Sequence, residues 1–127
     1  MVGTAAQPTV PSRSIIAGPT LARTKFGLTR VKLLVVIVNF RVAHLAIDCL
    51  HSVAEEIGRV PDTHVAVCEN GTGDDSAARI QKAIEENGWA TWCTLTALDV
   101  NLGFTGGNNA VLRPALQSAD KPQYFCC

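Results

Sequence analysis

The chain reads as an α/β protein, a Rossmann-like parallel sheet whose strands alternate with helices, and three observations predict it. Val31 to Val38 is a nearly unbroken run of β-branched residues and leucine, the composition of a strand covered on both faces. Shorter strand-like runs follow at His64–Cys68 and within Trp92–Leu98. Between them lie segments with helical apolar spacing, closed by glycine or proline. Alternation of this kind calls for right-handed crossovers and a parallel sheet, with ligands taken at the carboxyl ends of the strands.

The length of 127 residues corresponds to one domain. With 47% hydrophobic and 17% charged residues, a disordered polyelectrolyte and a coiled coil are both excluded. Eleven bases balance eleven acids, so no overall basic excess points to nucleic acid or an anionic membrane surface. The balance is uneven along the chain. Residues 1–32 hold Arg13, Arg23, Lys25, Arg30 and Lys32 and no acid, and the remaining six bases share residues 33–127 with all eleven acids. Residues 1–30 also hold Pro8, Pro11 and Pro19 and no sustained apolar period, which predicts a disordered basic leader. Residues 31–127 form the expected folded unit.

In chain order, the first strand stops at Asn39-Phe40, and Leu45, Ile47, Leu50, Val53, Ala54 and Ile57 then recur at helical spacing until Gly58 and Pro61. The second strand runs into Glu69-Asn70-Gly71-Thr72-Gly73-Asp74, a turn rich in residues that accept unusual dihedrals. Asp74, Asp75 or Ser76 caps the next helix, whose stripe is Ala77, Ile80, Ala83 and Ile84, with Gly88 at its C′ position. After the third strand, Asn101 to Asn109 reads as a glycine-rich loop and Ala110 to Ser118 as a helix, with Pro114 in its first turn or at a kink. Gln123 to Cys127 looks like the first residues of a fourth strand. Asn39, Glu69, Asn70, Asp99 and Asn101 all stand at or just after strand ends and should gather on one rim.

The five cysteines, Cys49, Cys68, Cys93, Cys126 and Cys127, are odd in number, lack CxxC spacing and lie in or beside apolar runs. They read as buried reduced thiols of a cytoplasmic protein. No transmembrane segment is expected, because the longest aliphatic run, Leu33 to Val38, is far short of the ~20 residues of a membrane helix. His44, His51 and His64 have no carboxylate or cysteine at ligand spacing, so no metal site is assigned to them.

Two segments carry the candidate chemistry. Asn101-Leu102-Gly103-Phe104-Thr105-Gly106-Gly107-Asn108-Asn109 offers either close backbone approach to a phosphate-like ligand or a strand-to-helix turn that needs small residues for packing. It is neither a Walker A loop nor the Rossmann glycine fingerprint. In Cys68-Glu69-Asn70-Gly71-Thr72, a carboxylate at a strand end precedes a tight turn, where it can accept hydrogen bonds from a base or ribose.

These segments, together with Val36-Ile37-Val38-Asn39-Phe40 and Cys49-Leu50-His51-Ser52-Val53, resemble in order and spacing the family 2 glycosyltransferases of GT-A fold, rhamnosyltransferase-like branch. The resemblance covers residues 31–127 and implies the N-terminal half of that fold. It implies an enzyme that transfers a sugar from a nucleotide-diphosphate donor to a glycan acceptor with the help of a divalent cation, magnesium or manganese. On that likeness, Asn39 and Glu69 hold the nucleoside, Asn101, Gly103 and Asn108 line the donor pocket, and Asn70 and Gly106 belong to the same nucleotide-sugar-binding set. Glu69 stands where the family has aspartate. The family's metal-binding Asp-x-Asp or Asn-Pro-Asp segment and its general base have no counterpart before Cys127, so no catalytic residue is assigned and a truncated enzyme is expected. A non-catalytic remnant or interaction module keeping the fold is the alternative, followed by a flavodoxin-like or receiver-like domain.

Overall fold

The computed structural model describes residues 30–127, so the leader expected over residues 1–30 lies, Arg30 aside, outside the described residues. Strand β1 (Leu33–Asn39) is central. It pairs in parallel with β2 (Thr63–Glu69) along its whole length, from Leu33 beside Thr63 to Asn39 beside Glu69. Strand β3 (Cys93–Ala97) lies parallel to β2 on the far side, and β4 (Tyr124–Cys126) lies parallel to the first three residues of β1. The order is therefore β3-β2-β1-β4. The chain leaves β1 toward one edge and later returns to its other side, so the strand order reverses at β1 and its carboxyl end is the switch point of the sheet.

Two apolar cores sandwich the sheet. Helices α1 (Ala43–Glu56) and α2 (Ser76–Glu86) cover one face, where Ala46, Leu50, Ile80 and Ile84 pack on Val65 and Val67. Helix α3 (Gly103–Gln117) covers the other, where Val111 packs with Leu34, Val36, Ala66 and Cys68. The unbroken hydrophobicity of Val31–Val38 is thus a requirement of geometry, since alternate side chains of β1 enter different cores. Leu50 is wholly buried, worth about 1.5–3 kcal/mol against exposure.

The predicted stripe of helix α1 packs in the core at Ile47, Leu50, Val53, Ala54 and Ile57, and Leu45 alone departs from it. Ala43, Ala46 and Leu50 are buried, whereas Leu45 is 54% exposed. Counting back from Leu50, four and seven residues reach the buried line and five does not. A 3₁₀ turn (Ile57–Arg59) ends the helix before Pro61, and Asp62, at φ 63°, turns the chain into β2 while its carbonyl accepts the Lys32 and Leu33 N–H groups. Helix α2 closes through Asn87 and Gly88, the latter left-handed at φ 70° as its C′ position requires.

The largest departure is α3, which starts at Gly103, so most of the expected 101–109 loop is helix. Local side chains satisfy the backbone there: Asn101 Oδ1 accepts the Gly103 N–H at 2.7 Å, and Asn108 Nδ2 donates to the Phe104 carbonyl at 2.9 Å. Packing against β1 then outweighs the poor helix propensity of glycine. Pro114 falls near the last turn instead of the first. The cysteine reading also needs correction: Cys68 and Cys93 are buried, but Cys49, Cys126 and Cys127 are exposed. Cys49 is off the buried line of α1, and the other two lie at the end of β4, the edge strand.

Candidate functional site

The carboxyl end of β1 and β2 is built around one polar rung. Asn39 and Glu69 are register partners, 1% and 3% exposed, and Asn39 Nδ2 donates to Glu69 Oε2 at 3.4 Å. Both Glu69 oxygens also accept the Thr72 N–H, at 3.1 and 3.2 Å, so the turn after β2 closes on its own carboxylate. The Asn70 N–H donates to the Asn39 carbonyl at 2.8 Å, which carries the ladder one step past the strands. A further link joins the two turns, as the Arg41 N–H donates to Thr72 Oγ1 at 3.0 Å. Arg41 holds φ 68°, a left-handed conformation that costs a non-glycine residue roughly 1–2 kcal/mol, and its guanidinium lies 5.2 Å from the Phe40 ring centroid.

Asn70 makes a second junction, to α3. Its side chain accepts the Leu102 N–H at 3.0 Å and donates to the Gly103 carbonyl at 2.9 Å, binding the end of β2 to the start of the helix. Two glycines allow the closeness. A Cβ on Gly71 would lie 2.5 Å from Val100 Cα and nearer still to the Val100 carbonyl carbon and the Asn101 nitrogen. A Cβ on Gly107 would meet Val38 Cγ1 at 2.9 Å and Asn70 Nδ2 at 3.1 Å. Packing is therefore the structural role of Gly107.

The strand-end residues do reach one rim, but the sheet divides them. By strand alternation Asn39 and Glu69 belong to the face of α1 and α2, with Ile37 and Val67, whereas Asn70 contacts the start of α3. Asn108 is buried on α3 beside Gly107; Asn101, Gly103 and Asp99 are exposed, and a Cβ on Gly106 would meet Leu102 of its own helix. Two buried oxygens, Asn39 Oδ1 and Asn108 Oδ1, have no hydrogen-bond partner among the described residues.

The surrounding ionisable groups are structural in character. Burial, reinforced by the Glu69 charge, pushes the Cys68 thiol up to about 12, and burial alone pushes Cys93 to about 12, so neither is a nucleophile at neutral pH. His64, desolvated between strands with Nε2 3.1 Å from Thr94 Oγ1, is pushed down to about 4. The expected cap of α2 is an Asx turn: Asp74 Oδ1 accepts the Ser76 N–H at 2.8 Å, and the hydrogen bonds from Ser76 lower its pKa. Asp75 stands at the N-cap without a side-chain cap bond.

Among the described residues no group of three or more His, Cys, Asp or Glu side chains could hold a metal ion, and no helix is long and apolar enough to cross a membrane. Gly71 and Thr72, which lie in the candidate segment Cys68–Thr72, join the site, and so does Arg41, which sequence reasoning did not single out because nothing in the sequence marks an arginine for a left-handed backbone. Compared with known proteins, the chain matches no family model, no curated protein and no solved structure.

Proposed function

We propose that residues 31–127 bind the nucleotide of a nucleotide-diphosphate sugar and serve a glycosyltransferase that passes the sugar to a glycan acceptor. The reading rests on the family resemblance and is supported by one observation above the others: Asn39, Glu69 and Asn70 meet at the carboxyl end of β1 and β2, beside the reversal of strand order. Here a ligand finds buried hydrogen-bonding groups held by a rigid ladder rather than by free loops. The exposed turn from Asn101 to Gly103 would face the sugar-diphosphate end.

In transfer chemistry a divalent cation neutralises the diphosphate and a base takes the acceptor hydroxyl proton. The described residues do not fit a metal-binding set, and no step is assigned to one here. Their own contribution is to bind and orient the donor.

Titration calorimetry of the chain with UDP, dTDP and GDP, with and without manganese, tests the proposal. Saturable binding of at least one nucleotide, lost in Asn39→Ala, is the expected result. Absence of saturable heat with all three nucleotides would refute donor binding by this chain.

A further inference from the structure

The tripeptide Glu-Asn-Gly occurs twice in the chain, as Glu69-Asn70-Gly71 and as Glu86-Asn87-Gly88. An Asn-Gly pair carries a reaction of its own. The glycine nitrogen, deprotonated by hydroxide, attacks the asparagine Cγ; the Cγ–Nδ2 bond breaks, and the amide leaves as ammonia with a proton taken from water. Water then opens the resulting succinimide on either side of the ring nitrogen, giving aspartate or isoaspartate. A glycine nitrogen closes the ring most readily because no Cβ stands beside it, so the two copies start with matched local chemistry. Both glycines hold φ 70°, and the surroundings make the difference.

Asn70 is 2% exposed, and its carboxamide is engaged at both ends, donating to the Gly103 carbonyl at 2.9 Å and accepting the Leu102 N–H at 3.0 Å. A Cβ on Gly71 would overlap the backbone of Val100 and Asn101, so this peptide has no room to turn toward attack. Ring closure there waits for the junction of β2 with α3 to open, and few molecules are open at a time. Asn87 is exposed at the C-cap of α2, where its Nδ2 donates to the Ala83 carbonyl at 2.8 Å. The Gly88 N–H donates to the Glu85 carbonyl at 3.2 Å, and nothing lies within 4 Å of a Cβ placed on Gly88. Fraying of one helix turn frees both reacting groups.

We propose that Asn87-Gly88 is a site of spontaneous deamidation, converted by water to aspartate and isoaspartate, while the clasp on Asn70 keeps the same dipeptide intact in the candidate site. The product at position 87 loses the donor to Ala83 and adds a negative charge beside Glu85 and Glu86, at the negative end of the α2 dipole. Isoaspartate also lengthens the backbone by a methylene just before the buried Trp89, whose ring lies 4.7 Å from that of His51.

Incubation of the full chain at mildly alkaline pH tests the assignment, read by mass spectrometry of proteolytic peptides in which asparagine, aspartate and isoaspartate are resolved. In the native protein, product should form at Asn87 faster than at Asn70 by about tenfold or more. In urea beyond the unfolding midpoint, the two rates should come within about twofold, because only the shared local sequence then acts. A native Asn87 that forms no product overturns the proposal, and so does a native ratio below the expected one. A rate difference that persists undiminished in urea assigns protection to local sequence and overturns the role of the clasp.

Discussion

Replacing Gly71 by alanine should be the most damaging single-methyl change in the fold, and the cost can be separated into parts. Gly71 has φ 70°, so any L-residue there carries roughly 1–2 kcal/mol of backbone strain. Its Cβ would also press on the backbone of Val100 and Asn101, 2.5 Å from Val100 Cα, where no flexible side chain can swing aside. Shifting a packed backbone adds about 1–3 kcal/mol, for a total of about 2–5 kcal/mol. Gly73 isolates the first part, because it has φ 80° but open space around its Cβ. Gly58 has open space and an ordinary φ, so alanine there should be neutral or stabilise by up to about 1 kcal/mol. Urea denaturation followed by circular dichroism measures all three. With a slope of about 1.5 kcal/mol per molar, a loss of about 3 kcal/mol moves the Gly71→Ala midpoint down by roughly 2 M, a large share of a stability of about 5–15 kcal/mol. A Gly71→Ala protein no less stable than Gly73→Ala would show that the turn after β2 does not press on the Val100–Asn101 segment, and the account of the junction would fall.

Asn70→Ala should cost about 2–4 kcal/mol in the same assay, because it strips partners from the Leu102 N–H and the Gly103 carbonyl; a loss below about 1 kcal/mol contradicts the clasp. Stability should also fall as pH drops from about 6.5 to about 4: the unfolded chain takes up a proton on His64 in that window and the folded one, with His64 lowered to about 4, does not. The loss is at most about 3 kcal/mol, and it should shrink in His64→Gln as measured by urea midpoints across that range. Thiol labelling of the native protein should modify Cys49, Cys126 and Cys127 quickly and spare Cys68 and Cys93 until denaturant is added; fast labelling of all five refutes the burial pattern.

The strands were legible because burial on both faces leaves a strong signature: Leu33–Val38 and His64–Cys68 can be little else. Helix α2 was legible for a similar reason, its stripe of Ile80 and Ile84 being bounded by turn residues on one side and Gly88 on the other. Helix α3 was read wrongly over Gly103–Asn109 because glycine and asparagine are poor local helix formers, and only the partners that the fold supplies reverse that preference. Leu45 shows the same limit on a smaller scale, since periodicity placed the stripe from Ile47 to Ile57 but not where its edge falls at the start of the helix.

For the candidate site, sequence placed Asn39, Glu69 and Asn70 at strand ends, and a parallel sheet necessarily carries such ends to one rim. What each does there depended on the tertiary structure. Adjacent residues of a strand point to opposite faces, so Glu69 faces Asn39 while Asn70 reaches α3, two roles set by one step along the backbone. The sequence by itself determined the α/β alternation, because hydrophobic burial is local enough to be written in each segment. Only the tertiary structure decided which amide faces which carboxylate, because a hydrogen bond between residues thirty positions apart exists only once the ladder between β1 and β2 is in register.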